Sequence, residues 1–130
     1  MSLFDRADNA PKTAMQRVLV VDDVEANRSV LCRRLSRLGY VVSAADGGMS
    51  ALTMIETECP DIVLLDYMMP DMNGIDVLRE LRANSHHADL PVIMLTARAE
   101  AGTVVASLEA GADDYVSKPI DFDVLAARID

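Results

Sequence analysis

The amino-acid sequence predicts a doubly wound α/β fold, a five-stranded parallel sheet with five alternating helices. Three observations lead there. Short apolar runs recur at residues 18–21, 40–45, 62–65, 91–95 and 113–117. Segments of helical spacing separate them, and the joints are short and punctuated by Gly or Pro. The runs are continuous rather than alternating, which is how a strand reads when both its faces are buried in a parallel sheet. At 130 residues the chain fits one domain able to bury a real core.

Residues 1–15 show no sustained period and read as a flexible N-terminal arm, with Met1 to Leu3 a remnant of expression. Val18 to Val21 forms the first strand and ends in Asp22 and Asp23. Ala26 to Leu38 has helical spacing, with Val30, Leu31, Leu35 and Leu38 inward and Gly39 as its stop. Tyr40 to Ala45 is the second strand, and Asp46-Gly47-Gly48 turns into a helix from Met49 to Glu58 that Pro60 ends. The third strand, Ile62 to Leu65, runs into Asp66 and a turn carrying Pro70. A helix over 74–83 follows, capped by Asn73 with Asp76 three residues on. Pro91 to Leu95 is the fourth strand, ending at Thr96. The fourth helix spans 98–110, with Val104, Val105 and Leu108 inward and Gly111 closing it. Asp113 to Ser117 leads to Lys118-Pro119, and Asp121 caps a last helix holding Val124, Leu125 and Ile129. That apolar pattern is unfinished at Asp130, so the domain, 16–130, is expected to be cut in or just after this helix.

Composition narrows the function classes. No apolar run approaches the roughly 20 residues of a membrane-spanning helix, and no basic-then-apolar leader opens the chain. A net charge of −9 repels nucleic acid, so direct DNA binding by this segment is not expected. Most of that charge is solvated surface; part can be concentrated in one pocket. The two cysteines, Cys32 and Cys59, are too few for a disulfide framework and suggest buried, reduced thiols in a cytoplasmic protein.

The informative pattern is at the strand ends. Asp22 and Asp23, Asp66, Thr96 and Lys118 each follow a different apolar run. In a parallel sheet those positions share one edge, where such folds place ligands. Singly, each aspartate is an ordinary turn residue, Thr96 a β-branched strand residue and Lys118 a solvated amine. Jointly they form a site. Three crowded carboxylates need a cation, and hard oxygen donors suit Mg²⁺, with Mn²⁺ as a substitute. The Met68 carbonyl could complete the shell. A carboxylate beside a divalent cation, a lysine and a hydroxyl can accept a phosphoryl group: Asp66 attacks in line while Lys118 and Thr96 hold the oxygens.

The segments V-L-V-V-D-D (18–23), L-L-D-Y-M-M-P-D-M-N-G (64–74), I-M-L-T-A (93–97) and D-Y-V-S-K-P (114–119) resemble the receiver domain of bacterial two-component response regulators, in order and at family spacing over about residues 17–130. The resemblance implies a flavodoxin-like, CheY-like aspartyl-phosphate switch rather than an enzyme, with at most self-catalysed phosphorylation and dephosphorylation. It makes Asp66 the phosphoacceptor, Asp23 a direct Mg²⁺ ligand, Asp22 a ligand through water and Met68 a main-chain ligand. Thr96 and Lys118 hold the phosphoryl group, Tyr115 is the aromatic switch that follows Thr96, and the Lys118–Pro119 peptide is cis. A sensor histidine kinase or phosphotransfer protein would be the donor. The surface of helix 4, strand 5 and helix 5 would serve a homodimer or an output domain C-terminal to this segment.

Competing readings fit less well. Haloacid-dehalogenase-type phosphatases carry a second Asp two positions after the nucleophile, where this chain has Met68. A nucleotide-binding fold would need a glycine-rich loop after the first strand, where Asp22-Asp23-Val24-Glu25 stands. A constitutive interaction module would not need the complete residue set. Met68 and Arg98 border the expected path of water to Asp66 and would slow hydrolysis. Asn27 reads as a local hydrogen bonder, His86 and His87 as exposed loop residues, and most of the eight methionines as core.

Overall fold

The structure, a computed structural model, describes residues 16–97 and 101–129. Its strands are β1 (Arg17–Val21), β2 (Val41–Ala45), β3 (Ile62–Asp66), β4 (Val92–Thr96) and β5 (Asp114–Ser117). Between and after them come α1 (Glu25–Arg37), α2 (Gly48–Glu58), α3 (Gly74–Ala83), α4 (Ala101–Glu109) and α5 (Phe122–Ile129). All strands are parallel in the order β2-β1-β3-β4-β5. The chain moves outward from β1 to β2, then returns past β1 to add β3, β4 and β5. That reversal opens a crevice at the C-terminal ends of β1 and β3.

The period of two along each strand divides the core. Leu19, Val21, Val63, Leu65, Val92 and Met94 face one side and pack with Ile55 of α2 and Leu78 and Leu81 of α3. Val18, Val20, Leu64, Ile93 and Leu95 face the other and meet Leu31 and Leu35 of α1 and Leu125 and Ile129 of α5. β3 and β4 are buried along their whole length, which is why they read as unbroken apolar runs.

Local signals set the helix ends. The Asn73 side chain accepts from the Asp76 N–H at 2.9 Å and the Asp76 carboxylate accepts from the Asn73 N–H at 3.2 Å, a capping box worth about 1 kcal/mol. Gly39 and Gly111, expected to end α1 and α4, have φ of 101° and 112°, where a side chain is strained.

Several sequence expectations are corrected. Only Leu31 and Leu35 of α1 are buried; Val30 and Leu38 lie on an arc too wide for the sheet to cover and are exposed. In α4 the buried side chain is Ser107, whose hydroxyl donates to the Thr103 carbonyl at 2.9 Å. Val105 and Leu108 instead face outward, 50% and 45% exposed. The cysteines are not both buried: Cys32 is half-buried and Cys59 exposed. Among the methionines, Met49 and Met68 are exposed. His87 is not a free loop residue, because its Nε2 lies 3.0 Å from Glu56 Oε1 and its side chain is only 13% exposed. The expectations for residues 1–15, Arg98 and Asp130 lie outside the described residues.

Gly74 begins α3 directly against the end of β3, its N–H donating to the Tyr67 carbonyl at 2.9 Å. A Cβ there would stand 2.8 Å from the Asp66 main-chain oxygen and 2.7 Å from Met94 Cε. Backbone cannot yield as a side-chain tip can. Gly74→Ala is therefore expected to lower unfolding stability by about 1–3 kcal/mol, read from the denaturant midpoint. An unchanged midpoint would show that this loop moves freely.

Candidate functional site

Asp22 follows β1, Asp66 is the last residue of β3, Thr96 the last of β4, and Lys118 follows β5. The parallel register sets Asp66 opposite Leu95 and Thr96 opposite Ser117, so these ends form one rim. The Lys118 N–H donates to the Thr96 carbonyl at 2.8 Å and extends the ladder by one residue. From there its side chain reaches back across two strands. Nζ lies 3.0 Å from Asp66 Oδ1 and 3.3 Å from Asp22 Oδ2.

Asp22 is fully buried, Asp66 is 5% exposed and Thr96 is 1% exposed. The other oxygen of Asp22, Oδ1, accepts from the Val24 N–H at 2.9 Å, closing the turn into α1. Arg28 Nη1 donates to the Asp22 carbonyl at 2.8 Å from within α1. Carboxylate oxygens of Asp22, Asp23 and Asp66 all lie within 4.8 Å of one another. Burial pushes the Asp66 carboxyl above its ordinary range; Lys118 opposes this, and the charges of Asp22 and Asp23 add to it. Burial pulls the Lys118 amine down, but its hydrogen bonds and charge pairing with Asp66 and Asp22 outweigh that and hold it protonated.

Among the described residues, Lys118 is the ammonium touching these three carboxylates, which leaves the cluster short of positive charge. The donors are all hard oxygens. Such a set fits a divalent cation of the Mg²⁺ or Mn²⁺ type and not a thiophilic one.

Around this centre, Tyr115 is half-buried on β5, three residues before Lys118, and packs against the α2–α3 side of the core. The Lys118–Pro119 peptide is cis. Met68, two residues beyond Asp66, is 57% exposed. Asn27 is exposed and lines a groove with Lys118 and Pro119. His86 and His87 lie in the α3–β4 loop, at the opposite edge of the sheet. Two supports were not anticipated. One is Arg28, which sequence spacing marks only as polar surface. The other is Asp71, whose carboxylate accepts from the Gly48 and Met49 N–H groups at 3.2 and 3.1 Å. Those bonds tie the β3–α3 loop to the start of α2 and hold the Asp71 carboxyl below its ordinary range, the Met49 N–H contributing most.

The comparison with known sequences decides the family: residues 18–130 match the response regulator receiver domain. The chain belongs to that family. It is 48% identical over 113 residues to response regulator MprA of Mycobacterium ulcerans (strain Agy99), covering 87% of this chain and 48% of that protein. MprA of Mycobacterium tuberculosis (strain ATCC 25618 / H37Rv) gives the same identity and coverage. The chain thus spans about half the length of the curated relatives it matches. Among solved structures, the receiver domain of Francisella response regulator 1452 superposes with a TM-score of 0.82 at 32% identity, covering 88% of this chain and 93% of that one. Chemotaxis protein CheY4 of Vibrio cholerae gives 0.83 at 27% identity, with 88% and 95% covered. This is therefore a receiver domain of two-component signalling, a switch module with the flavodoxin-like strand order. Among the described residues no helix is long and apolar enough to cross a membrane.

The raised Asp66 value fixes the sign of a stability effect. A carboxyl whose folded pKa lies above its unfolded value contributes stability below the unfolded pKa and loses it as pH rises through the folded one. Above its unfolded pKa, and so at neutral pH, Asp66 is thus a net cost to the metal-free receiver domain. Asp66→Asn should raise its thermal midpoint by about 2–6 °C at pH 7, and the two proteins should converge near pH 3. Saturating Mg²⁺ should raise the wild-type midpoint more than the variant's. Thermal scans across pH, with and without Mg²⁺, check all three.

Proposed function

We propose that this receiver domain takes a phosphoryl group on Asp66 from the phosphohistidine of a sensor histidine kinase or phosphotransfer protein. What supports this above all is the Lys118 ammonium bridging Asp66 and Asp22 at 3.0 and 3.3 Å on the rim that Thr96 shares. An Asp66 carboxylate oxygen attacks phosphorus as the P–N bond breaks, and the departing imidazole keeps the bonding pair. Lys118 shifts from the free carboxylate oxygen to the new phosphoryl oxygens, and the Thr96 hydroxyl donates to another. Asp22, Asp23, Asp66 and the Met68 main-chain oxygen would hold Mg²⁺, or Mn²⁺ in its place; when bound it supplies the positive charge that phosphoryl oxygens need at a buried acidic rim. Water later hydrolyses the acyl phosphate, and the Met68 side chain, exposed two residues beyond Asp66, would narrow that approach.

The added charge of about −2 draws Thr96 toward the phosphoryl group. Space vacated near the end of β4 admits the Tyr115 ring, and the surface of α4, β5 and α5 changes. That face carries exposed Val105, Leu108 and Val124 beside the Arg128–Asp114 ion pair of 2.6 Å. It is suited to a homodimer, or to an output domain in the longer protein. The setting is the cytoplasm.

With a small phosphodonor such as acetyl phosphate and Mg²⁺, the wild type should take up one phosphoryl group per chain and Asp66→Ala none. Labelling of the variant at the wild-type rate would place the acceptor elsewhere. In sedimentation, beryllofluoride should shift the wild type toward dimer and leave Val105→Glu monomeric. A wild type that stays monomeric at high concentration would remove the α4–β5–α5 contact.

A further inference from the structure

At the edge of the sheet opposite the aspartates, the end of α2 and the α3–β4 loop flank an open cavity of about 600 Å³. The whole chain contains two histidines and two cysteines. Both histidines and one of those cysteines, Cys59, line this cavity, with Glu56 and Asp89 beside them. The phosphoryl chemistry at the other edge uses none of these side chains.

Part of a coordination shell is already assembled. His87 Nε2 and Glu56 Oε1 are 3.0 Å apart. Two ligands at ordinary zinc distances in a tetrahedral shell lie about 3.3 Å from each other. The backbone behind them is fixed: the His86 N–H donates to Asn84 Oδ1 at 2.9 Å and the His87 N–H to the Asn84 carbonyl at 3.0 Å. Arg82 Nη1 holds the His87 carbonyl at 3.1 Å, and Asn84 Nδ2 reaches Glu56 Oε1 at 3.3 Å. Such outer contacts orient metal ligands. Cys59 comes three residues after Glu56, and its left-handed φ of 50° ends α2 with the thiol exposed at the cavity wall. The His86 ring is 6.5 Å from that of His87, centre to centre. Among the described residues only the three aspartates have donor atoms already converged. Closure here requires Cys59 and His86 to swing inward, and both are exposed.

We propose that this cavity binds a borderline transition-metal cation, Zn²⁺, through His87, Glu56, Cys59 and His86, and so ties the end of α2 to the α3–β4 loop. The imidazole and thiol donors select against Mg²⁺, as the oxygen-only rim opposite selects for it. On binding, the Cys59 S–H bond breaks, its electron pair goes to the metal and its proton to solvent.

The test uses tag-free full chain with Mg²⁺ in excess to occupy the aspartate rim. Titration with Zn²⁺ should give one site per chain with Kd on the order of micromolar, and Co²⁺ should produce a thiolate-to-metal charge-transfer band. Cys59→Ser, an exposed change that spares the core, should abolish the band and weaken Zn²⁺ binding about tenfold or more. His87→Ala, checked for folding by circular dichroism, should weaken it as much. Cys32→Ser and Asp22→Asn should leave both readouts unchanged. A wild type without the band, Zn²⁺ binding indifferent to Cys59→Ser and His87→Ala, or binding lost in Asp22→Asn would each overturn the proposal.

Discussion

The contact on which this molecule turns is a single ammonium shared by two buried carboxylates. Lys118 holds Asp66 and Asp22 at 3.0 and 3.3 Å where neither has much access to water. An isolated carboxylate in that position would protonate rather than stay charged. Lys118 offsets part of that charge and leaves the cluster under-compensated, a state poised for a cation. Stability is given up at the rim so that charge can be accepted there. The upward shift of Asp66 is the signature of that compromise.

Such a rim requires the backbone beneath it to be stiff. β3 and β4 are buried throughout, so the ends that carry Asp66 and Thr96 cannot slide without exposing apolar side chains. The loop after Asp66 is braced from both sides: Asp71 clamps it to the start of α2, and Gly74 lets α3 begin in contact with the Asp66 carbonyl. Arg28 performs the same service for Asp22 from α1. These contacts involve no reacting atom. They fix where the carboxylates stand relative to one another.

The outer face of the molecule is less committed. Val105, Leu108 and Val124 are left uncovered on α4 and α5, and the helices there contribute fewer buried side chains than α3 does. A switch needs such asymmetry. Elements free to move are drawn from the weakly packed end of a structure, and α4 and α5 lie at that end here, while the acidic rim sits on the tightly packed strands.

The five-strand, five-helix alternation was written in the sequence because two-sided burial leaves unbroken apolar runs, and because caps such as Asn73 with Asp76 act within a few residues. The rim of Asp22, Asp23, Asp66, Thr96 and Lys118 was legible for the same reason: in a parallel sheet, the end of a strand is a position in space as well as in the chain. Inward faces were harder to read. Val105 and Leu108 have the spacing of core residues, but which arc of a helix meets the sheet is settled by neighbouring elements, and α4 turns that arc outward. His87 and Glu56 gave no sign of meeting, since 31 positions separate them and no strand register links them. Local chemistry and period determined the elements and their polar tips. Only the packing of one element on another decided which side chains are buried, which brace the rim and which face each other across the far edge, because those contacts join residues distant in the chain.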